Sequence, residues 1–208
     1  MSVPDKSIDP RLLASAEAEF QKYGFLKAEL KTICENADIT TGAVYKRYKG
    51  KEDLFCVIVE DIVNALDTFL TERSAIDLSA LSDEEICHTW IMSYENMLPM
   101  FRMLYKQRDK FTLLIDKAAG TRYENFNHEY VIRMSYAYEK FYAEAQKRGL
   151  AQADVTREEF HVLLSSFWTC VCEPFVHNMS WEQIEEHCRI VCRFFNWSDV
   201  IMLKKGNI

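Results

Sequence analysis

An all-α fold follows from three observations. Apolar residues recur at spacings of three and four along most of the chain, three capping boxes punctuate it, and its 208 residues include only 6 Gly and 4 Pro. No segment alternates apolar and polar residues as a half-buried strand does. The pattern divides into three short helices, one connecting helix and a larger helical bundle.

Asp9-Pro10 opens the first helix, because Asp can cap free backbone N–H groups and a proline in the first turn forfeits no hydrogen bond. Leu13, Ala16, Phe20 and Tyr23 follow at helical spacing, and Gly24 ends the helix. The second helix carries Leu30, Ile33, Cys34 and Ala37 on one face. After a turn at Asp38-Ile39, Thr40 caps a third helix running to about Tyr48. Between Glu52 and Glu72, the spacing of Phe55, Ile58, Ile62, Leu66 and Phe69 predicts one longer connecting helix. Residues 74–81 form a polar break. Ser82-Asp-Glu-Glu85 is a capping box for the next helix, which Pro99 is expected to interrupt or kink. A shorter helix reaches about Lys117, Ala119-Gly120-Thr121 breaks it, and a long helix from about Arg122 to Arg148 ends at Gly149. Capping boxes at Thr156-Arg-Glu-Glu159 and Ser180-Trp-Glu-Gln183 start the last two helices.

The formal net charge is −7, but the charge is unevenly placed. Residues 1–50 hold eight Lys/Arg against seven Asp/Glu, whereas the remainder holds 17 against 25. Between Thr40 and Lys51 stand Lys46, Arg47, Lys49 and Lys51 with no acid. A small cationic cluster on an acidic body suits local contact with a polyanion. The opening MSVPDKSIDPR lacks the apolar core of a signal peptide, and no run of about 18 apolar residues follows. A cytoplasmic protein without a membrane partner is expected, and its seven cysteines are expected to be reduced and buried.

Three short helices, the second and third joined by a tight turn, make a helix-turn-helix, whose last helix enters the major groove of DNA. The ordered run Thr40-Thr-Gly-Ala-Val-Tyr-Lys-Arg-Tyr-Lys-Gly-Lys-Glu-Asp-Leu54 resembles the signature of the TetR family. Gly24-Phe25, Ile33, Ala37 and Ile39 fall where that family places equivalent types. The resemblance is close over residues 10–58 and extends to the rest through helix pattern. It implies a helix-turn-helix DNA-binding domain at 1–50 and a helical effector-binding and dimerisation domain at 51–208, whose connector helix spans about 51–73.

On that reading the DNA-contacting set is Lys31, Thr40, Thr41, Gly42, Ala43, Tyr45, Lys46, Arg47 and Lys51. Thr40 caps the recognition helix and leaves its first N–H groups for phosphate. Thr41 can meet a base edge, and Gly42 lets backbone approach DNA. By resemblance Tyr45 places its hydroxyl on a phosphate, Lys46 and Arg47 follow on the exposed side, Tyr48 pins the helix to the first, and Lys51 is a further phosphate clamp. Two positions depart from the family. Ala28 stands where Thr or Ser usually caps the second helix, so that phosphate contact is expected to be lost or moved to Lys27 or Lys31. Asp38 replaces a turn glycine, which the left-handed tolerance of Asp allows.

Residues 83–150 are rich in aromatic and Met side chains, which suit walls around a mostly apolar ligand. The expected lining is Ile62, Leu66, Trp90, Tyr94, Met97, Phe101, Tyr105, Tyr130, Met134, Tyr138 and Phe167. The segment Val162–Cys172 is apolar around most of its circumference, so one face can pack its own subunit and another a partner. Leu164, Phe167, Trp168, Val171, Cys188, Val191 and Phe195 are the expected homodimer interface.

The function implied is a transcriptional regulator, a repressor whose affinity for double-stranded operator DNA falls when a small, mostly apolar effector binds. Regulation by a protein partner, or by thiol or metal chemistry at Cys170, Cys172, Cys188 and Cys192, stays open on the same fold. So does a helical enzyme, although His88, His128, His161 and His177 show no nucleophile–base spacing and no phosphate-binding loop occurs. No cofactor, metal site or catalytic residue is expected.

Overall fold

The computed structural model describes residues 8–203. Eleven α-helices are found in that range: α1 (Ile8–Lys27), α2 (Leu30–Asn36), α3 (Thr41–Tyr45), α4 (Lys51–Ala75), α5 (Asp83–His88), α6 (Tyr94–Lys106), α7 (Arg108–Asp116), α8 (Phe126–Lys147), α9 (Arg157–Val176), α10 (Trp181–Phe194) and α11 (Trp197–Val200). A 3₁₀ turn at Leu78–Ala80 and one antiparallel bridge between Ala151 and Leu203 complete the regular structure of the described residues. Among them no helix is long and apolar enough to cross a membrane. The chain forms two compact units, Met1–Ala65 with Gln107–Phe126 and Leu66–Lys106 with Asn127–Ile208.

In the first unit, α1 buries Leu12, Ala16 and Phe20, a stripe with a spacing of four, while Tyr23 is exposed. The inward residue of the first turn is thus Leu12 rather than the expected Leu13. Gly24 adopts φ 72°, where a Cβ costs energy, and it breaks the helix as its sequence position implies. The rings of Phe20, Phe25 and Phe55 then meet pairwise at 5.3–5.9 Å and close the core of the unit. The segment 107–126 packs on α1: Phe25 N–H donates to the Lys117 carbonyl at 3.1 Å, and Gln21 Nε2 donates to the Asp109 carbonyl. Gly120, at φ 84°, lies against Leu26 so closely that a Cβ would come within 2.4 Å of the leucine side chain. From α4, Asp61 pairs with Lys110 at 2.8 Å and Glu52 accepts from the Arg122 N–H at 2.9 Å.

The second unit is assembled around aromatic rings. Trp90 meets Tyr138, Tyr142 and Phe160 at centroid distances of 5.9–6.2 Å, and α10 packs against both α6 and α9. All three capping boxes are formed, at Ser82, Thr156 and Ser180. Pro99 is not the breakpoint expected of it. The helix opened by Ser82 already stops at His88, a turn through Trp90 intervenes, and Pro99 lies within α6. The fully buried Trp90 indole therefore terminates what periodicity alone would continue. Arg148 closes the end of α8, donating to the Leu78 and Leu81 carbonyls at 2.7 Å each and pairing with Asp83 and Glu144.

The residues expected at a dimer interface lie inside this unit. Leu164, Phe167, Trp168, Val171, Cys188, Val191 and Phe195 are all at most 7% exposed within one chain. The larger apolar side chains of α9 and α10 turn inward, and the Trp168 Nε1–H is held by Asn127 Oδ1 at 3.0 Å. The outward stripe of α9 is Val162, Ser166, Thr169, Glu173 and Val176, and that of α10 includes Ile190 and Phe194. Because α9 is apolar around most of its circumference, its sequence could not say which side faces out.

The Thr156 cap offers a direct stability test. Glu159 N–H donates to Thr156 Oγ1 at 3.2 Å and Thr156 N–H to Glu159 Oε2 at 2.8 Å. Thr156→Ala is expected to lower the urea-unfolding free energy by about 1 kcal/mol, whereas Thr71→Ala on the exposed side of α4 is expected to change it by less than about 0.5 kcal/mol.

Candidate nucleic-acid interface and ligand cavity

The third helix is short. Only Thr41–Tyr45 is regular α-helix, and a turn follows at Lys46-Arg47, so the expected end near Tyr48 falls three residues late. Thr40 caps it as expected, its Oγ1 accepting from Ala43 N–H at 3.3 Å. Asp38 takes φ 53° in the preceding turn, the left-handed conformation anticipated for it. Val44 is completely buried and fixes the helix from below, while Thr41, Gly42, Tyr45 and Lys46 are exposed, Tyr45 at 62%.

Gly42 is informative because nothing in the protein requires it. A Cβ there would meet only Thr40 Oγ1, at 3.9 Å, an ordinary contact. The side chains of Thr41, Tyr45 and Lys46 likewise make no hydrogen bond or ion pair with any described residue.

Two other expected DNA ligands are engaged within the protein. The Arg47 guanidinium turns back to Asp9 on α1 at 3.1 Å and approaches the Ala43 carbonyl at 3.4 Å, so it does not follow Lys46 outward. Lys51 Nζ donates to the carbonyls of Phe25 (2.6 Å) and Ala28 (2.9 Å), with Leu26 O at 3.4 Å, and sits 4.4 Å from the centre of the Phe25 ring. Burial depresses its pKa below the ordinary lysine value, and these oxygens are the acceptors that compensate. With its three donors so placed, Lys51 holds the α1–α2 junction instead of clamping phosphate. Lys31 is exposed and loosely paired with Glu35 at 3.7 Å. Ala28 is buried, and α2 has no side-chain cap; the Glu29 N–H that starts it is met instead by Glu19 Oε1 at 3.3 Å. Tyr48 is half-buried, and burial raises its pKa from the ordinary tyrosine value, with Asp9 adding to the shift.

The second unit contains a cavity of about 270 Å³. Six of the expected lining residues border it: Trp90, Met97, Tyr130, Met134, Tyr138 and Phe167. The expected Ile62, Leu66 and Phe101 are instead packed into the cores, each at most 1% exposed. Tyr94 faces α10, where its hydroxyl accepts from Arg189 Nη2 at 3.1 Å, and Tyr105 packs on Trp181 with ring centres 5.2 Å apart. Missed from the sequence were Phe69 and Arg73, on the last turns of α4, and Met100, Phe160 and Trp197. An arginine near a helix C-terminus reads as dipole compensation, and nothing in its spacing distinguishes a cavity wall.

Among the described residues no three His, Cys, Asp or Glu side chains come together as metal ligands do. Cys188 is buried against Cys192, and burial, then its neighbour, pushes its thiol up to about 12. At neutral pH it is a protonated, apolar group.

A short helix raised on two supporting helices, its outward side chains unpartnered, defines a helix-turn-helix DNA-binding protein. Residues 12–57 match the sequence profile of the bacterial regulatory proteins of the tetR family. The whole fold is shared with solved structures. One, described as a SmeT–triclosan complex, superposes with a TM-score of 0.62 at 17% identity, covering 98% of this chain and 95% of its own. NalD of Pseudomonas aeruginosa, the secondary repressor of the MexAB-OprM multidrug efflux pump, gives 0.61 at 17% identity, covering 97% and 100%. GusR of Salmonella enterica gives 0.56 at 17%, covering 97% and 98%.

The two lysines separate stability from DNA contact. Lys51→Met is expected to lower the unfolding free energy by about 2 kcal/mol, because two or three carbonyls lose a charged donor. Lys46→Ala is expected to leave it within about 0.5 kcal/mol, both being read from denaturant titration.

Proposed function

We propose that the chain is a homodimeric transcriptional repressor that binds operator DNA through α3 and loses affinity when a small, mostly apolar molecule occupies the cavity of its second unit. The observation that carries this reading is the outward set Thr41, Gly42, Tyr45 and Lys46. These residues are exposed on a helix anchored by Val44 and Thr40, and their side chains have no partner among the described residues. A hydroxyl able to reach a base edge, a glycine that lets backbone near, and a phenol and ammonium for phosphate are what a major-groove helix needs.

The effector half of the proposal is supported by the cavity walls. Trp90, Tyr138, Met134 and Phe167 offer apolar contact with few polar groups, and the volume lies just below the range of about 300–1,000 Å³ usual for small-molecule sites. SmeT, a protein of this fold, is described with triclosan. The helix α4 begins at Lys51, which is fastened to the α1–α2 junction, and its last turns supply Phe69 and Arg73 to the cavity. An occupant that displaces those last turns acts on α4, the helix whose first residue is held at the α1–α2 junction. Recognition helices of a dimer must match grooves about 34 Å apart, so a small change in their separation costs affinity.

For the dimer, the outward faces of α9 and α10 are the surfaces to pair. Phe194 is 76% exposed and Val162 60%, with Ile190 and Val176 also on the surface. Phe194→Glu is expected to convert a wild-type dimer to monomer in sedimentation velocity. A monomeric wild-type chain would reject the interface.

Fluorescence anisotropy with a duplex from the region upstream of the chain's own gene tests the DNA-binding face. Lys46→Ala is expected to weaken binding and to reduce the slope of log K against log salt by about one. Gly42→Ala is expected to leave the protein as stable as before, or more so by up to about 1 kcal/mol through helix propensity, while weakening DNA binding. Wild-type binding that is absent or insensitive to salt would overturn the proposal.

A further inference from the structure

The polar groups around the cavity are unequal. Thr89 Oγ1 already donates to the Glu85 carbonyl at 3.1 Å, and His88 lies 3.8 Å from Glu84. Two buried N–H groups on lining residues have no acceptor: Nε1 of Trp90, a residue only 2% exposed, and Nε of Arg73. Arg73 forms no salt bridge with a described residue. Its guanidinium lies 4.4 Å from the centre of the Tyr138 ring and 4.5 Å from that of Phe141. Aromatic faces attract the cation but accept no in-plane N–H bond. A buried donor without an acceptor is costly, and half-buried Arg73 has no counter-anion among the described residues. No lining residue has a buried acceptor left unmet: the two buried side-chain oxygens without a hydrogen bond belong to Asp9 and Glu139, which are ion-paired with Arg47 and Arg157 and do not border the cavity.

Two unmet donors, one of them on a cation, thus border a cavity whose walls are mostly apolar. Resting on the reading of this cavity as the effector site, we infer that its ligand is a small carboxylic acid with an apolar body, its carboxylate held by Arg73 and the Trp90 indole N–H. A carboxylate offers two acceptor oxygens to the planar guanidinium and supplies the missing countercharge. The cavity of about 270 Å³ restricts the body to a short alkyl chain or a single ring system. Neutral molecules of the same shape fill the walls but leave the cation unpaired, and amines bring a second positive charge to it.

Equilibrium dialysis of the full-length chain against sodium octanoate, 1-octanol and octylammonium chloride tests this. Octanoate is expected to bind at least about tenfold tighter than octanol, the worth of one charge-assisted hydrogen bond, with octylammonium weakest. Arg73→Met is expected to bring octanoate and octanol to within about threefold of each other by weakening octanoate alone. Trp90→Phe, which keeps the ring and removes the N–H, is expected to weaken octanoate by about three- to tenfold. The wild-type comparison needs no variant to fold, and circular dichroism checks both substitutions. Equal or tighter binding of octanol, a preference for octanoate that survives Arg73→Met, or no binding of hexanoate, octanoate and decanoate overturns the inference. The operator duplex separates the two claims. Octanoate that binds without weakening DNA association removes the effector role and keeps the anion site. Release of DNA by octanol as readily as by octanoate keeps the effector role and removes the anion site.

Discussion

Between the end of α1 and the start of α2, the carbonyls of Phe25, Leu26 and Ala28 converge on the ammonium of Lys51, the first residue of α4. Taking that charge partly out of water has a cost, and the three oxygens together with the Phe25 ring offset it. Three elements are fixed at once by this contact. The same elements supply Phe20, Phe25 and Phe55 to the aromatic cluster below it, so cation and core reinforce one geometry. The frame that presents α3 depends on it, since α2 starts beside this cation without a side-chain cap of its own. Where a threonine or serine would cap α2, this chain has a buried alanine and meets the first N–H from Glu19.

The second unit is built on a different balance. Its aromatic rings pack edge to face around Trp90 and leave a space they do not fill, and at that space two donors go without acceptors. Native interiors satisfy most buried donors. Two unmet ones on one cavity are therefore a property of the site rather than of the core. The unit tolerates them because its other polar groups are well served: Arg148 and Tyr142 each meet several partners around the chain ends that enclose α8.

Much of the fold was legible in the sequence because the signals were local. Capping boxes at Ser82, Thr156 and Ser180 need only four residues to be recognised, and Gly24 and Asp38 declare backbone conformations that few residues accept. What escaped depended on distant parts of the chain. The helix after Ser82 ends at His88 because Trp90 is required in the core, which no local rule states. The side chains of Phe167 and Trp168 read equally well as interface or core, because α9 is apolar on both sides. Lys51 and Arg47 look like DNA-binding cations in an acid-free run, yet carbonyls and Asp9 reached from α1 claim them. Arg73 could be placed at a helix end but not at a cavity. In each case the residue type was ambiguous and its partner was far away in sequence.

The emptiness around Gly42 has a further consequence. Thr41, Gly42, Tyr45 and Lys46 are held in place by Val44, Thr40 and the backbone, not by contacts of their own. Substitutions at these positions are thus nearly invisible to the folding of the domain. On the proposed reading, that surface can be rewritten for another DNA sequence while the scaffold beneath it stays constant, so recognition and stability answer to separate residues and can change at separate rates.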